Sequence, residues 1–156
     1  MGKKSRRKGK RAENEIVPIL RQAWLSANSE RTEAEAERLI RRGLQGQGDA
    51  TGERVPDVVA PGLWVESKRR KEVHPGDWLH GLTQAFKAAE TAQDGRLACC
   101  WYRSDYGRWN VAVRNEELLR LSNAACPLER VTEAHLPVHM DGEDFAQLWA
   151  EWEVGR

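Results

Sequence analysis

The residues with the clearest chemical potential lie in the stretch VPDVVAPGLWVESKRRK, residues 55–71, where charged side chains interrupt a run of β-formers. Asp57 precedes a Pro-Gly turn, and Glu66 and Lys68 follow that turn with one residue between them. Because side chains alternate between the two faces of a strand, Glu66 and Lys68 are predicted to point to the same side. Asp57 can lie close to Glu66 across the hairpin if its side chain shares that face.

Two carboxylates and a lysine in this arrangement indicate metal-assisted chemistry on a phosphate. Carboxylates a few ångströms apart persist at neutral pH only with a cation between them or with a raised pKa. Their oxygens suit Mg²⁺, which takes one or two protein carboxylates, several waters and substrate phosphate, and the backbone carbonyl of Ser67 can add an oxygen. A lysine beside the metal can orient or help deprotonate the attacking water. Charges with no chemical role are the alternative.

A third acid is predicted on the first helix. Apolar residues recur at helical spacing over residues 13–28, and Glu13 lies on that apolar stripe while Glu15 lies off it. A carboxylate on the apolar face of a helix is costly unless something pairs with it. Glu13 is therefore the candidate third acid, and Glu15 is expected at the solvated surface. Pro18 predicts a kink in this helix or a helix start just before it.

The rest of the chain alternates between helical and strand periodicity. Further helices are predicted over residues 32–42, 76–93, 115–121 and 143–153, and strands over residues 55–60, 63–70, 96–102 and 108–113. The glycine-rich stretch over residues 43–55 is typical of a loop. This order predicts an α/β or α+β domain with a mixed β-sheet flanked by α-helices, and 156 residues are enough for one such domain.

Tryptophan is frequent in this chain, with seven residues. Trp24, Trp101 and Trp109 are expected in the hydrophobic core because their large rings gain most from burial. Trp149 and Trp152 belong to an apolar stripe on the last helix. That stripe is predicted either to pack on the domain or to form part of a dimer interface.

The charge distribution indicates a polyanionic partner. Seven of the 25 basic residues lie among the first eleven positions, which contain no acid, so acidic residues outnumber basic ones in the remainder. Residues 1–11 are predicted to form a mobile basic arm that contacts nucleic acid, with residues 12–156 as the single folded domain; a solubilising tail is the alternative.

No window is apolar enough for a membrane span, and three cysteines without framework spacing predict a reducing cytoplasm.

The pattern Pro-Asp at 56–57, eight residues, then Glu-Ser-Lys at 66–68 resembles the signature of the PD-(D/E)xK nuclease superfamily. Within that superfamily the chain looks most like the archaeal-type Holliday-junction resolvases and their phage-encoded relatives. It is similar to them in a Lys-Gly pair at 8–9 followed by Glu13, in the basic residues after the Glu-Ser-Lys triplet, and in a helix with a Gln-Ala pair at 84–85. These features follow one another along the chain in the same order as in those resolvases.

The resemblance implies a restriction-endonuclease-like fold and a set of site residues. It implies that Lys68 serves the attacking water and the scissile phosphate, and that Gln84 positions that lysine or the phosphate. It also implies a bound Mg²⁺, or Mn²⁺ as a substitute. The residues implied to surround this ion are Glu13, Asp57, Glu66 and the carbonyl of Ser67.

Hydrolysis of DNA is the activity that the resemblance implies. The implied substrate is a branched four-way junction, bound by a homodimer that places one site on each of two strands. The residues implied to contact DNA are Lys8, Lys10, Arg11, Arg69, Arg70 and Lys71. Two alternatives stay open at this point: another PD-(D/E)xK DNA nuclease acting in repair, restriction or phage DNA processing, and a non-catalytic nucleic-acid-binding module that keeps the fold.

Overall fold

The computed structural model describes residues 3–43, 55–122 and 137–155. In these residues the fold is a mixed six-stranded β-sheet with helices on both faces. The helices are α1 (Lys3–Ser26), α2 (Glu33–Leu39), α3 (Pro75–Ala92), α4 (Asn115–Leu121) and α5 (Gly142–Val154). The strands are β1 (Arg41–Arg42), β2 (Val58–Ala60), β3 (Leu63–Arg70), β4 (Leu97–Ser104), β5 (Asn110–Arg114) and β6 (Pro137–Asp141).

The strand order in the sheet follows the order in the chain. β3 and β4 run parallel, while β1–β2, β2–β3, β4–β5 and β5–β6 are antiparallel pairs. A parallel pair needs a crossover connection, and α3 supplies it. The turn between β2 and β3 contains Gly62 with φ 64°, a left-handed conformation that glycine adopts at little steric cost.

The two faces of the sheet bury different kinds of side chain. Leu63 and Val65 of β3 join the larger core cluster, to which α1 and α5 contribute their apolar stripes. Trp64 lies on the opposite face, where it packs with Ala85 of α3 and Ala98 of β4. The alternation along β3 therefore separates a face of large side chains from a face on which small residues let α3 lie close to the sheet.

Most predicted elements are confirmed. Strand 63–70 and helix 115–121 have the predicted bounds, and helices 76–93 and 143–153 agree within one residue at each end. Trp24, Trp101 and Trp109 are buried, as expected. The stripe on α5 packs on the domain, because Trp149 is fully buried and its Nε1 donates a hydrogen bond to the Pro61 carbonyl at 2.9 Å.

Several elements differ from the sequence-based expectation, among them the predicted strands 55–60 and 108–113, which begin at Val58 and Asn110. α1 begins at Lys3, so the helix extends into the stretch that was predicted to be a mobile arm. The prediction placed the boundary where the basic residues end. Lysine and arginine, however, have good helix propensity, so a basic stretch can continue a helix. The predicted second helix ends early, and Arg41 and Arg42 pair with β2. β6, which was not predicted, starts at Pro137 on the sheet edge, where proline is tolerated. Most of the glycine-rich loop lies outside the described residues.

Among the described residues, none of the helices combines the length and hydrophobicity that crossing a membrane needs.

We expect Trp149→Ala to lower the free energy of unfolding by about 3–5 kcal/mol, because it empties a fully buried site and removes the link from α5 to the β2–β3 turn. Val154→Ala, at an exposed position of the same helix, is the control and should change stability by about 0.5 kcal/mol or less. Chemical denaturation followed by tryptophan fluorescence measures both. Equal effects would contradict the packing of α5 described here.

Candidate active site

Asp57 lies directly before β2, at the point where the β2–β3 hairpin ends. Its N–H donates to the Val65 carbonyl at 2.9 Å, which keeps the backbone paired beyond the strand. Its Oδ2 accepts hydrogen bonds from the N–H and the Oγ of Ser67, both at 2.8 Å. Only 6% of Asp57 is exposed. Two donors from one residue therefore hold this buried carboxylate in a single orientation against β3.

Lys68 is held between a carboxylate and an amide. Its Nζ donates to Glu66 Oε1 at 3.0 Å and to Gln84 Oε1 at 2.9 Å, and 15% of its side chain is exposed. The contact with Glu66 confirms that the two side chains share a face of β3. The contact with Gln84 comes from α3, the crossover helix. The ammonium group thus has two oxygen acceptors from different elements and little freedom to move.

Gly81 allows α3 to pass this close to Lys68. A Cβ atom at this position would lie 2.5 Å from Cys100 Sγ and 2.9 Å from Lys68 Cε, distances that real Cβ atoms do not reach. Sequence reasoning did not identify Gly81, since a single glycine in a helical pattern carries no local signal of what lies beneath it. Its position above the lysine is visible only once β3, β4 and α3 are packed together.

Cys100 is a fully buried thiol next to the charged residues of β3. It pairs in register with Glu66 across β3 and β4. Burial raises the pKa of its thiol to about 12, with the Lys68 charge lowering the pKa and the charges of Glu66 and Asp57 raising it further. All three groups therefore act on the same buried sulfur atom. Cys99, the preceding residue, is also buried.

Glu13 approaches the site from α1. It is 4% exposed, which confirms its predicted place on the apolar side of the helix. Its Oε2 accepts a hydrogen bond from Arg42 Nε at 2.7 Å. Burial raises the pKa of Glu13, the contact with Arg42 opposes that rise, and the charge of Asp57 adds to it. Glu13 and Asp57 are thus close enough to interact, and Arg42 is the partner that a buried carboxylate needs.

Gly43 connects β1 to the backbone of the site. Its N–H donates to the Asp57 carbonyl at 2.8 Å. A Cβ atom there would lie 1.8 Å from the Pro56 carbonyl oxygen, so only glycine fits this approach. The strand that carries Arg42 is therefore tied directly to the segment that carries Asp57.

The carboxylates present a hard oxygen donor set. Within residues 3–43, 55–122 and 137–155, no three side chains of His, Cys, Asp and Glu are gathered as a ready-made metal cage. Glu13 and Glu66 are turned towards Arg42 and Lys68 instead. Carboxylate oxygens such as those of Asp57 and Glu66 are the donor type that Mg²⁺ or Mn²⁺ prefers, and binding of a metal by these two residues stays a prediction. Ligation by Glu13 and by the Ser67 carbonyl stays a prediction.

Arg69 has an ion-pair role that the sequence analysis did not foresee. Only 13% of its side chain is exposed; its Nη1 lies 2.7 Å from Glu15 Oε1 and its Nε 3.1 Å from Asp105 Oδ1. Arg103 also pairs with Glu15, at 2.9 Å. Glu15 is therefore half-buried in an ion-pair network, and its expected place at the solvated surface is wrong. The network holds α1 against the end of β3 and the β4–β5 turn.

The other residues implied to contact DNA differ in their surroundings. The Arg70 side chain is 52% exposed and its Nε lies 3.2 Å from Asp77. Lys71, Lys10 and Arg11 are exposed. Lys8 lies within α1, outside the part of the helix whose side chains are described. Arg70 and Lys71 thus continue from the candidate site towards solvent, whereas Arg69 points to the other face.

Comparison with protein-family models, with curated proteins and with solved structures finds no match for this chain. The geometry around Asp57, Glu66, Lys68 and Gln84 therefore carries the functional argument.

We expect Arg69→Ala to lower the free energy of unfolding by about 1–3 kcal/mol, because it removes the largely buried guanidinium group that links Glu15 to Asp105 and leaves Arg103 to compensate Glu15. Arg70→Ala, one residue further at an exposed pair, should cost about 1 kcal/mol at most. Urea denaturation at neutral pH compares the two variants. A larger loss for Arg70→Ala would contradict the assignment of Arg69 to the ion-pair network.

We expect Gly81→Ala to destabilise the fold by about 1–3 kcal/mol, because the added methyl group overlaps Cys100 and Lys68. The matched control is Gly76→Ala in the same helix, where an added Cβ meets nothing within 4 Å; it should be neutral or slightly stabilising. Thermal unfolding measures the difference. Identical melting temperatures for the two variants would show that α3 does not pass over Lys68 as closely as described.

Proposed function

We propose that this chain is a metal-dependent DNA endonuclease of the PD-(D/E)xK type that hydrolyses phosphodiester bonds. The observation that carries the proposal is the position of Lys68, whose ammonium group is held by Glu66 and Gln84, on the strand whose Ser67 anchors the carboxylate of Asp57. An ion pair that only stabilised the surface would not need an amide acceptor from a crossover helix. The mixed sheet flanked by helices also agrees with the fold that the resemblance implies.

The side chains divide the work of hydrolysis among them. Asp57 and Glu66 supply carboxylate oxygens, and Ser67 keeps Asp57 aimed at the site through two hydrogen bonds. Lys68 places a positive charge where negative charge develops on the phosphate, and Gln84 limits its movement, so little reorganisation is needed during reaction. Bound Mg²⁺ would supply Lewis-acid polarisation and a more acidic water.

Four-way DNA junctions are the proposed substrate, and a homodimer acting in the cytoplasm is the proposed form of the enzyme. Both proposals rest on the resemblance to Holliday-junction resolvases. A two-fold dimer can place one site on each of two strands, which a symmetric junction requires. The exposed cations Arg70 and Lys71, and the basic start of α1, support contact with a phosphate backbone. Linear or damaged DNA is the competing substrate within the same class.

A non-catalytic nucleic-acid-binding module is the second candidate. The Glu13–Arg42 and Glu66–Lys68 pairs neutralise two of the carboxylates inside the protein. Such ion pairs do not require a metal, so a binding module can keep them. These paired carboxylates therefore favour the binding module more than an open cluster of unpaired acids would. Metal dependence of cleavage therefore separates the two.

We expect the protein to nick a synthetic four-way junction in Mg²⁺, with paired symmetric nicks near the branch and slower cleavage of linear duplex and single strand. Asp57→Asn and Lys68→Met should each lower the cleavage rate by about 10²-fold or more, because the first removes a carboxylate that would hold Mg²⁺ and the second removes the positive charge that would stabilise the reacting phosphate. Glu90→Gln, at an exposed position of α3, is the matched control and should cleave normally. Gel electrophoresis of labelled strands measures the rates.

Cleavage that continues in chelator and in Asp57→Asn would contradict the endonuclease proposal. Metal-dependent cleavage of all DNA forms at equal rates would contradict the preference for junctions and leave the nuclease class intact. Tight junction binding without cleavage in Mg²⁺ or Mn²⁺ would favour the binding module.

A further inference from the structure

A basic groove lies between α1 and β1, beside the candidate active site. It encloses about 450 Å³, with Val17 and Pro18 as its apolar part. We call it the α1–β1 groove. Its lining residues are Asn14, Val17, Pro18, Arg21, Arg41 and Arg42. Three of these six residues carry a positive charge, and no lining residue carries a negative one.

The arginines of the α1–β1 groove are only partly compensated. Arg21 is oriented by a hydrogen bond from its Nε to the Ile40 carbonyl at 2.9 Å. Its ion pair with Glu37 is long, at 3.8 Å, and the Glu37 side chain is 67% exposed, so this pair contributes little. Arg41 is exposed on the edge strand, and its side chain makes no hydrogen bond or ion pair with the described residues.

Arg42 connects the groove to the candidate site. It lines the groove and at the same time donates to Glu13, whose pKa is influenced by the charge of Asp57. Gly43, the next residue, is hydrogen-bonded to the Asp57 carbonyl. The α1–β1 groove is therefore adjacent to the carboxylates of the candidate site. A DNA strand bound at that site can continue into the groove.

Phosphodiester groups match the chemistry of this surface. A guanidinium group is planar and presents donors that fit two phosphate oxygens at once. An anionic ligand is favoured because the lining combines three guanidinium groups with no carboxylate. The groove is open and a few hundred Å³ in size, so a stretch of one strand fits it better than a whole duplex does.

We propose that the α1–β1 groove binds the phosphate backbone of the DNA strand that enters the candidate active site. Arg41 and Arg21 contact the phosphates, and Val17 and Pro18 lie against the sugars. This inference rests on the proposed function for the identity of the strand, whereas the groove and its charge are independent of catalysis.

The test measures binding separately from cleavage. The full chain is titrated onto a fluorescein-labelled four-way junction in EDTA, and anisotropy gives Kd over a series of NaCl concentrations. Because each neutralised phosphate contributes about 0.9 to the slope of log K against log salt, we expect Arg41→Ala to lower that slope by about one and to weaken binding about fivefold at moderate salt. Arg21→Ala should act in the same direction.

Two controls keep the result specific to the groove. Arg38→Ala removes the same charge from an exposed position of α2 outside the groove, so its slope should equal that of the wild type. Arg41→Lys keeps the charge and should keep the slope, and far-UV circular dichroism confirms that each variant is folded. Wild-type slopes for both Arg41→Ala and Arg21→Ala would overturn the proposal, and so would an equal loss in Arg38→Ala.

Failure of this inference can be told apart from failure of the proposed function. Metal-dependent cleavage by the wild type with unchanged slopes in the groove variants would overturn the groove and leave the endonuclease standing. Reduced slopes without cleavage by any form of the protein would support the groove and contradict the endonuclease. Absence of junction binding by the wild type would overturn both.

Discussion

The parallel pairing of β3 with β4 is the constraint on which the candidate site depends. Parallel neighbours cannot be joined by a tight turn, so the chain must cross over one face of the sheet before β4 begins. α3 makes this crossover above the face that carries Glu66 and Lys68. Small residues on its inner side, Gly81 above all, let it approach until Gln84 reaches the lysine. Without that crossover, Lys68 would be an ordinary charge on an open strand.

Three acidic side chains in and around the candidate site are paired with basic side chains. Glu13 is matched by Arg42, Glu66 by Lys68 and Glu15 by two arginines. The Glu66–Lys68 pair lies within β3, whereas Glu13 connects α1 to β1 and Glu15 connects α1 to the ends of β3 and β4.

Local patterns predicted the parts of this structure that depend on local spacing. Alternation along β3 placed Glu66 and Lys68 on one face of the sheet. The same alternation places Arg69 on the opposite face. The prediction that Arg69 contacts DNA followed the basic run after Lys68 and not this alternation. The strand pair β1–β2 was missed because Arg41 and Arg42 continue a helical pattern. Asp57 lies just before β2 and, in the β2–β3 register continued by one residue, opposite Glu66 as expected, but its carboxylate accepts its hydrogen bonds from Ser67.

The sequence by itself determined most of the element types, the hairpin, the place of Glu13 on the apolar side of α1 and the shared face of Glu66 and Lys68. Only the tertiary structure decided the partners of these groups: Gln84 for Lys68 at a separation of 16 residues, Arg42 for Glu13 at 29 and Arg69 for Glu15 at 54. Side-chain spacing within one element follows from the geometry of a helix or strand. Contacts between distant residues depend on strand register and on the path of the crossover helix, which no local pattern specifies.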